Sequence, residues 1–174
     1  MRFDTPVTHS PPWGSAPSWH EANRSIDFHI KRYHLHLEPV TQIARDTRIC
    51  LEGIFPSLDD ICKVTCPRCP DACCLSASPW YDWRDLIFLH LSQLPIPPSQ
   101  TISGFKETCC YISHRGCTLP RITRPWICTW YLCPAQTANL RDRSAERWKA
   151  LSRVFGEIKA LRKKLESEFI RVII

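Results

Sequence analysis

Glycine is scarce in this chain, five in 174 residues. No glycine-rich loop is present whose backbone amides could cradle a phosphate, so nucleotide binding has little support. Cys-x-x-Cys-His does not occur, which excludes covalent haem attachment. Long apolar runs are missing too: the most apolar stretch, around Leu86–Leu94, falls far short of the roughly 20 residues a membrane helix needs. The opening segment, Met1 to Pro12, has no apolar core of the kind an export signal carries. These absences predict a cytoplasmic protein in a reducing compartment, with no membrane partner. No internal repeat is found beyond two unequal cysteine clusters.

Cysteine, by contrast, is abundant, with eleven residues. A disulfide framework is disfavoured because the count is odd and two pairs, Cys73-Cys74 and Cys109-Cys110, are adjacent in sequence. The first cluster, Cys66-Pro67-Arg68-Cys69-Pro70-Asp71-Ala72-Cys73-Cys74, places four thiols in nine residues, with Cys62 one helical turn upstream. Thiols so crowded are metal ligands more often than packing residues, since an inert apolar side chain fills space without redox risk. Cys-x2-Cys lets a tight turn bring two thiolates to about 2.3 Å from one ion, and a remote second set then completes the coordination. That second set is Cys109, Cys110, Cys117, Cys128 and Cys133.

At 44% apolar residues the chain can bury one ordinary core. The net charge of +6 counts thiols as neutral. A four-thiolate site holding a divalent cation would lower it by about two, which weakens any argument for nucleic acid from charge alone. The expected fold is mainly α: a small helical domain in which two cysteine-rich loop segments converge on a metal site, followed by a long C-terminal helix. Residues 1–17, with four prolines, read as an extended or disordered arm in which Trp13 is the residue able to dock. Residues 18–60 read as N-terminal helices, 61–134 as the cysteine-cluster domain, and 135–174 as an amphipathic helix packing on it.

Within that frame, Ser18 and Glu21 predict a capping box, and Ile26, Ile30, Tyr33, Leu37 and Val40 a helix face. The alternation in His34-Leu35-His36-Leu37 also suits a strand; helix is preferred, broken near Pro39 and resumed over 40–53. Between Gly53 and Pro79, prolines 56, 67, 70 and 79 argue against a long regular helix. Asp82 predicts the cap of a short core helix that stops before Pro95. Ser144 or Asp142 predicts the start of the last helix, with Trp148, Leu151, Phe155, Ile158, Leu161, Leu165, Phe169 and Val172 on one face and Arg162–Glu166 and Lys164–Glu168 as solvent-side pairs.

The pattern of Cys66, Cys69, Cys73 and Cys74, followed by Cys110, Cys117, Arg124-Pro125-Trp126-Ile127-Cys128 and Cys133, resembles the YkgJ-like cysteine-cluster family, described as a zinc- or iron-chelating domain with a Cys-x2-Cys-x2-Cys-Cys signature. The likeness covers about residues 62–134. Two spacings depart from it: three residues rather than two separate Cys69 from Cys73, and the step from Cys117 to Arg124 is one longer. The resemblance implies metal ligation by Cys66, Cys69, Cys73, Cys74, Cys110, Cys117, Cys128 and Cys133. The cofactor it implies is an iron–sulfur cluster, of the 4Fe–4S type, or zinc. Cluster binding is favoured because Trp80, Trp83, Trp126, Trp130 and Tyr131 would supply an apolar shell, although core packing explains those rings equally well. Arg-Pro-x-x-Cys is also sensible by itself. Pro125 suits a first helical turn, with Arg124 placed to favour a Cys128 thiolate. Cys128 and Cys133, about 140° apart on a helix, share a centre only if the helix ends between them.

Other residues are weighed against this. Cys50 reads as a small buried hydrophobe, and the role of Cys62 stays open. Cys109 and Cys110 compete for one role, which the resemblance assigns to Cys110, and His114 is a minor alternative ligand. Arg141, Arg143, Arg147, Lys149 and Arg153 around Trp148 read as the wet side of a helix, so nucleic acid is an unfavoured partner. The expected function is a metal-binding protein serving electron transfer, redox sensing or support of a modifying enzyme. The alternative is a zinc-stapled module that binds RNA or a protein partner without catalysis. No catalytic residue is identified.

Overall fold

A computed structural model describes residues 11–69, 75, 77–105, 107–114 and 116–174. The chain is mainly helical, as its periodicity predicts. Helix α1 spans Ala16–Arg32 and buries Trp19, Ala22 and Ile26. Its cap is Ser15, whose hydroxyl accepts from the Ser18 amide at 3.3 Å, and not the expected Ser18–Glu21 box. Pro17 explains the shift, because proline belongs in a first turn whose amides have no helical acceptor. Ahead of the cap, Trp13 docks on Trp83 with ring centroids 6.0 Å apart. The Pro12 carbonyl accepts from Gln100 Nε2 at 2.9 Å.

The chain then turns through a 3-10 segment at His34–His36, so the locally alternating pattern there is a bend and not a strand. Leu37 is buried at the corner. Helix α2 follows over Glu38–Thr65, with Pro39 in its first turn. Val40, Ile43, Ala44, Thr47, Leu51, Ile54, Leu58 and Ile61 form its buried face. The helix continues through Pro56, contrary to the expected interruption after Gly53. Pro56 is exposed, and Ile54, Leu58 and Ile61 keep the apolar face in the core on both sides of it. That burial offsets the one lost amide.

Helix α3, Trp83–Leu91, starts at Asp82 as predicted. Asp85 N donates to Asp82 Oδ1 and Asp82 N to Asp85 Oδ2, both at 2.9 Å. Leu86, Ile87, Phe88 and Leu89 are all buried, so this short helix is the centre of the core. It ends at Leu91 rather than Leu94, where Gln93 turns the chain with φ 53°. A two-stranded antiparallel hairpin, β1 (Ile112–Ser113) and β2 (Gly116–Cys117), sets Ile112 opposite Cys117. Gly116 has φ 103°, which only glycine adopts without strain. Helices α4 (Ile127–Trp130), α5 (Pro134–Arg143) and α6 (Ala145–Ile173) complete the chain. Of the two proposed caps of α6, Ser144 is used, accepting from Arg147 N at 3.2 Å.

Helix α6 packs along α2, α3 and α5, while α1 covers α3. Leu151, Ile158, Leu165 and Phe169 are its buried line, so the predicted stripe is core. Arg162 lies in the same line at 4% exposure and does not pair with Glu166. Its guanidinium donates to Asp85 Oδ1 at 2.6 Å and to Asp82 Oδ1 at 2.8 Å, and lies 5.6 Å from the Trp126 ring centre. Glu166 takes Arg84 instead, and Glu168 takes Arg171 in place of Lys164.

Candidate metal centre

The C-terminal end of α2 delivers the first thiols. Cys62 lies in the last turn of α2 and Cys66, four residues on, is its C-cap, whose backbone is still helical and whose amide donates to Cys62 O, so the two share a side. The Cys62 thiol and, more weakly, the Cys133 thiol bear electrostatically on Cys66. Both sulfurs receive the Gln136 amide: Nε2 is 3.5 Å from Cys62 Sγ and 3.7 Å from Cys66 Sγ. Gln136 is 5% exposed, and its Oε1 accepts from the Cys133 backbone amide at 3.1 Å. Arg121, paired with Asp59 at 2.5 Å, directs Nη2 to Cys62 Sγ at 3.8 Å. Partial burial and then the Cys62 thiol push the Cys66 thiol up, with the Thr65 hydroxyl pulling the other way. Cys69 follows directly, its amide donating to Cys66 O at 3.2 Å. Cys73 and Cys74 lie outside the described residues.

A second group forms around Tyr81. Its hydroxyl donates to the Thr123 carbonyl at 2.7 Å, and the Cys117 and Cys128 thiols are near enough to act on it. Burial first, then Asp85, pushes the Tyr81 phenol up, so it stays a neutral donor. Cys110 joins this side of the molecule through its amide, which donates to Thr101 O at 2.9 Å. Its thiol faces Gln100 O at 3.5 Å and Ser99 Oγ at 3.7 Å. The segment carrying Cys128 is pinned from below, since Trp126 N donates to Asp85 Oδ1 at 3.0 Å. Pro125 stands one residue ahead of the α4 cap, and Arg124 Nε donates to Leu119 O at 3.0 Å. Helix α4 does end between Cys128 and Cys133, with Tyr131 extended and Pro134 opening α5.

Of the eight expected ligands, Cys66 and Cys133 share the Gln136 side chain, and Cys117 and Cys128 each bear electrostatically on Tyr81. Among the described residues no group of three or more His, Cys, Asp or Glu is arranged to hold a metal ion. The two cysteine segments are linked at Gln136, whose side chain bonds the Cys133 backbone amide and the Cys66 sulfur. What faces those sulfurs nevertheless suits a thiophilic metal. Amide and guanidinium N–H groups are directed at sulfur, as donors around metal thiolates are. The sequence left Cys62 open, and the signal for it is the i,i+4 step to Cys66. Gln136 and Arg121 carry no sequence signal.

The aromatic residues divide. Trp83 stacks edge-on against Phe169, and Trp126 against Phe155, so both belong to the core. Trp130 and Tyr131 pack on each other at 6.2 Å and are each 45% exposed. Cys50 is half-buried against the core, where burial and then Glu157 push its thiol up, as suits a packing cysteine. Arg141 lies 5.1 Å from the ring centre of Trp148 on the solvent side of α5 and α6. No helix among the described residues is long and apolar enough to cross a membrane. Comparison with protein-family models, with curated proteins and with solved structures gives no match.

Proposed function

We propose that the protein is a thiolate metal carrier that resembles the YkgJ-like cysteine-cluster family. Its ligands are drawn from Cys66, Cys69, Cys73, Cys74, Cys110, Cys117, Cys128 and Cys133. The observation that supports this most is the buried Gln136 side chain, which bonds the Cys66 sulfur, from the middle of the chain, with its nitrogen and the Cys133 backbone amide, from the later third, with its oxygen. Bound there, an iron–sulfur cluster would supply one-electron redox chemistry, while zinc would supply a fixed crosslink. The protein's own part is to bring two loops together and turn N–H donors toward sulfur. We assign the cluster, and with it electron transfer or redox sensing in the cytoplasm, as the first reading.

The second reading is a zinc-stapled interaction module. The exposed Trp130–Tyr131 pair and the Arg141–Trp148 contact favour it, since the first presents aromatic surface and the second sets a positive charge over a ring. Anaerobic purification of the full chain with iron, sulfide and zinc analysis separates the two. Brown protein with iron and acid-labile sulfide is expected. Colourless protein with stoichiometric zinc supports the module, and a chain with neither overturns both readings.

A further inference from the structure

The resemblance assigns no role to Cys62, yet the structure turns side-chain N–H groups toward its sulfur. Two donors from different elements reach it: Gln136 Nε2 from α5 at 3.5 Å and Arg121 Nη2 from the 3-10 turn Arg121–Thr123 at 3.8 Å. Neither donor is free to leave. Gln136 is buried, and its Oε1 is taken by Cys133 N, which fixes the amide plane and leaves Nε2 directed at the sulfurs. Arg121 is held by Asp59, one helical turn before Cys62 on α2, and lies 5.8 Å from the Phe55 ring centre. A plain packing cysteine needs none of this, as Cys50 on the same helix illustrates with its apolar and carboxylate neighbours. Oriented N–H donors and a guanidinium next to sulfur suit one that carries negative charge, as a metal-bound thiolate does.

We propose that Cys62 is an additional sulfur ligand of the centre, and that Gln136 and Arg121 are its positioning residues. The proposal rests on the metal-carrier reading and extends it beyond the eight cysteines of the family pattern. The last turn of α2 and its C-cap then contribute Cys62 and Cys66 before the chain reaches Cys69. Gln136 acts as a gauge between the two halves: the same amide group reads the Cys133 backbone with its oxygen and the α2 sulfurs with its nitrogen. Ordering of Cys133 and ordering of Cys62 are therefore one event.

The test uses the full chain, purified anaerobically, as wild type, Cys62→Ser, Cys62→Ala, Gln136→Leu and the control Cys50→Ser. Iron, sulfide and zinc per chain, the sulfur-to-metal charge-transfer absorption and competition with EDTA are measured. Both Cys62 variants should lose charge-transfer intensity and yield metal to lower EDTA concentrations. Gln136→Leu should retain the metal but bind it about 10–100-fold more weakly, with helix content unchanged by circular dichroism. Cys50→Ser should match wild type. Cys62→Ser and Cys62→Ala that keep the wild-type spectrum and EDTA resistance overturn the role of Cys62 while leaving the metal-carrier reading intact. A wild-type chain without metal removes that reading, and this proposal with it.

Discussion

Arg162 shows how much one buried charge organises. Its guanidinium ties α6 to both carboxylates of the α3 capping box, and Asp85 passes the connection on to Trp126 N, two residues before Cys128. Removing one partner of such a buried pair leaves the other uncompensated. Arg162→Ala is therefore expected to lower stability by about 3–5 kcal/mol in urea unfolding. Arg162→Met/Asp85→Asn should lose much less. Asp85 also carries a pH signature. Burial pushes its carboxyl up from 3.8 to about 6, against the pull of Arg162 and with the help of Asp82. The folded state thus holds this proton more tightly than the unfolded chain. Its contribution to stability is fully present below pH 3.8 and is lost as pH rises through about 6. Measured between pH 4 and 7, the wild-type urea midpoint should fall relative to that of Asp85→Asn, and parallel curves for the two proteins would refute the assignment.

Helices were legible wherever a buried stripe and a polar cap agreed, as they do in α3 with Asp82 and in α6 with Ser144. Local signals misled where tertiary burial outweighed them. Pro56 reads as a breaker, but the core face of α2 runs on past it to Ile61. Arg162 and Glu166 read as a surface pair because spacing does not reveal which side of a helix another helix will cover. The thiol site was legible in part. The i,i+4 step of Cys62 and Cys66 was visible, but Gln136 and Arg121 reach those sulfurs from 74 and 59 positions beyond Cys62, and no local pattern encodes such contacts. Helix interiors also offer a direct test of propensity. An added methyl at Gly53 or Gly156 meets nothing within 4 Å. Gly53→Ala and Gly156→Ala should each raise stability by roughly 0.5–1 kcal/mol in urea unfolding, with additive effects because the change is confined to the backbone of separate helices.

Taken whole, the molecule has two kinds of order. Helices α1, α2, α3 and α6 share a continuous apolar core that includes Trp19, Leu58, Ile87 and Phe169, and none of its members is a candidate ligand. The segment from 105 to 133 has sparse regular structure among its described residues: two two-residue strands, a 3-10 turn and a four-residue helix. It is tied to the core by individual bonds, chiefly Tyr81 Oη to Thr123 O, Trp126 N to Asp85, and Cys110 N to Thr101 O. Few buried contacts and many isolated bonds place this segment at the low end of local stability. A metal held between its thiols and the end of α2 would act mainly there, because binding free energy stabilises what the free chain leaves loosely held. Stripping the metal with EDTA under anaerobic, reducing conditions should therefore speed amide hydrogen exchange across 107–133 and at the end of α2 near Cys62–Cys69. Amides around Leu51 and Ile158 should keep their protection, since their burial does not involve sulfur. Equal loss of protection in both regions would mean that the helices depend on the centre for their fold, and the division into a self-sufficient core and a metal-ordered segment would be wrong.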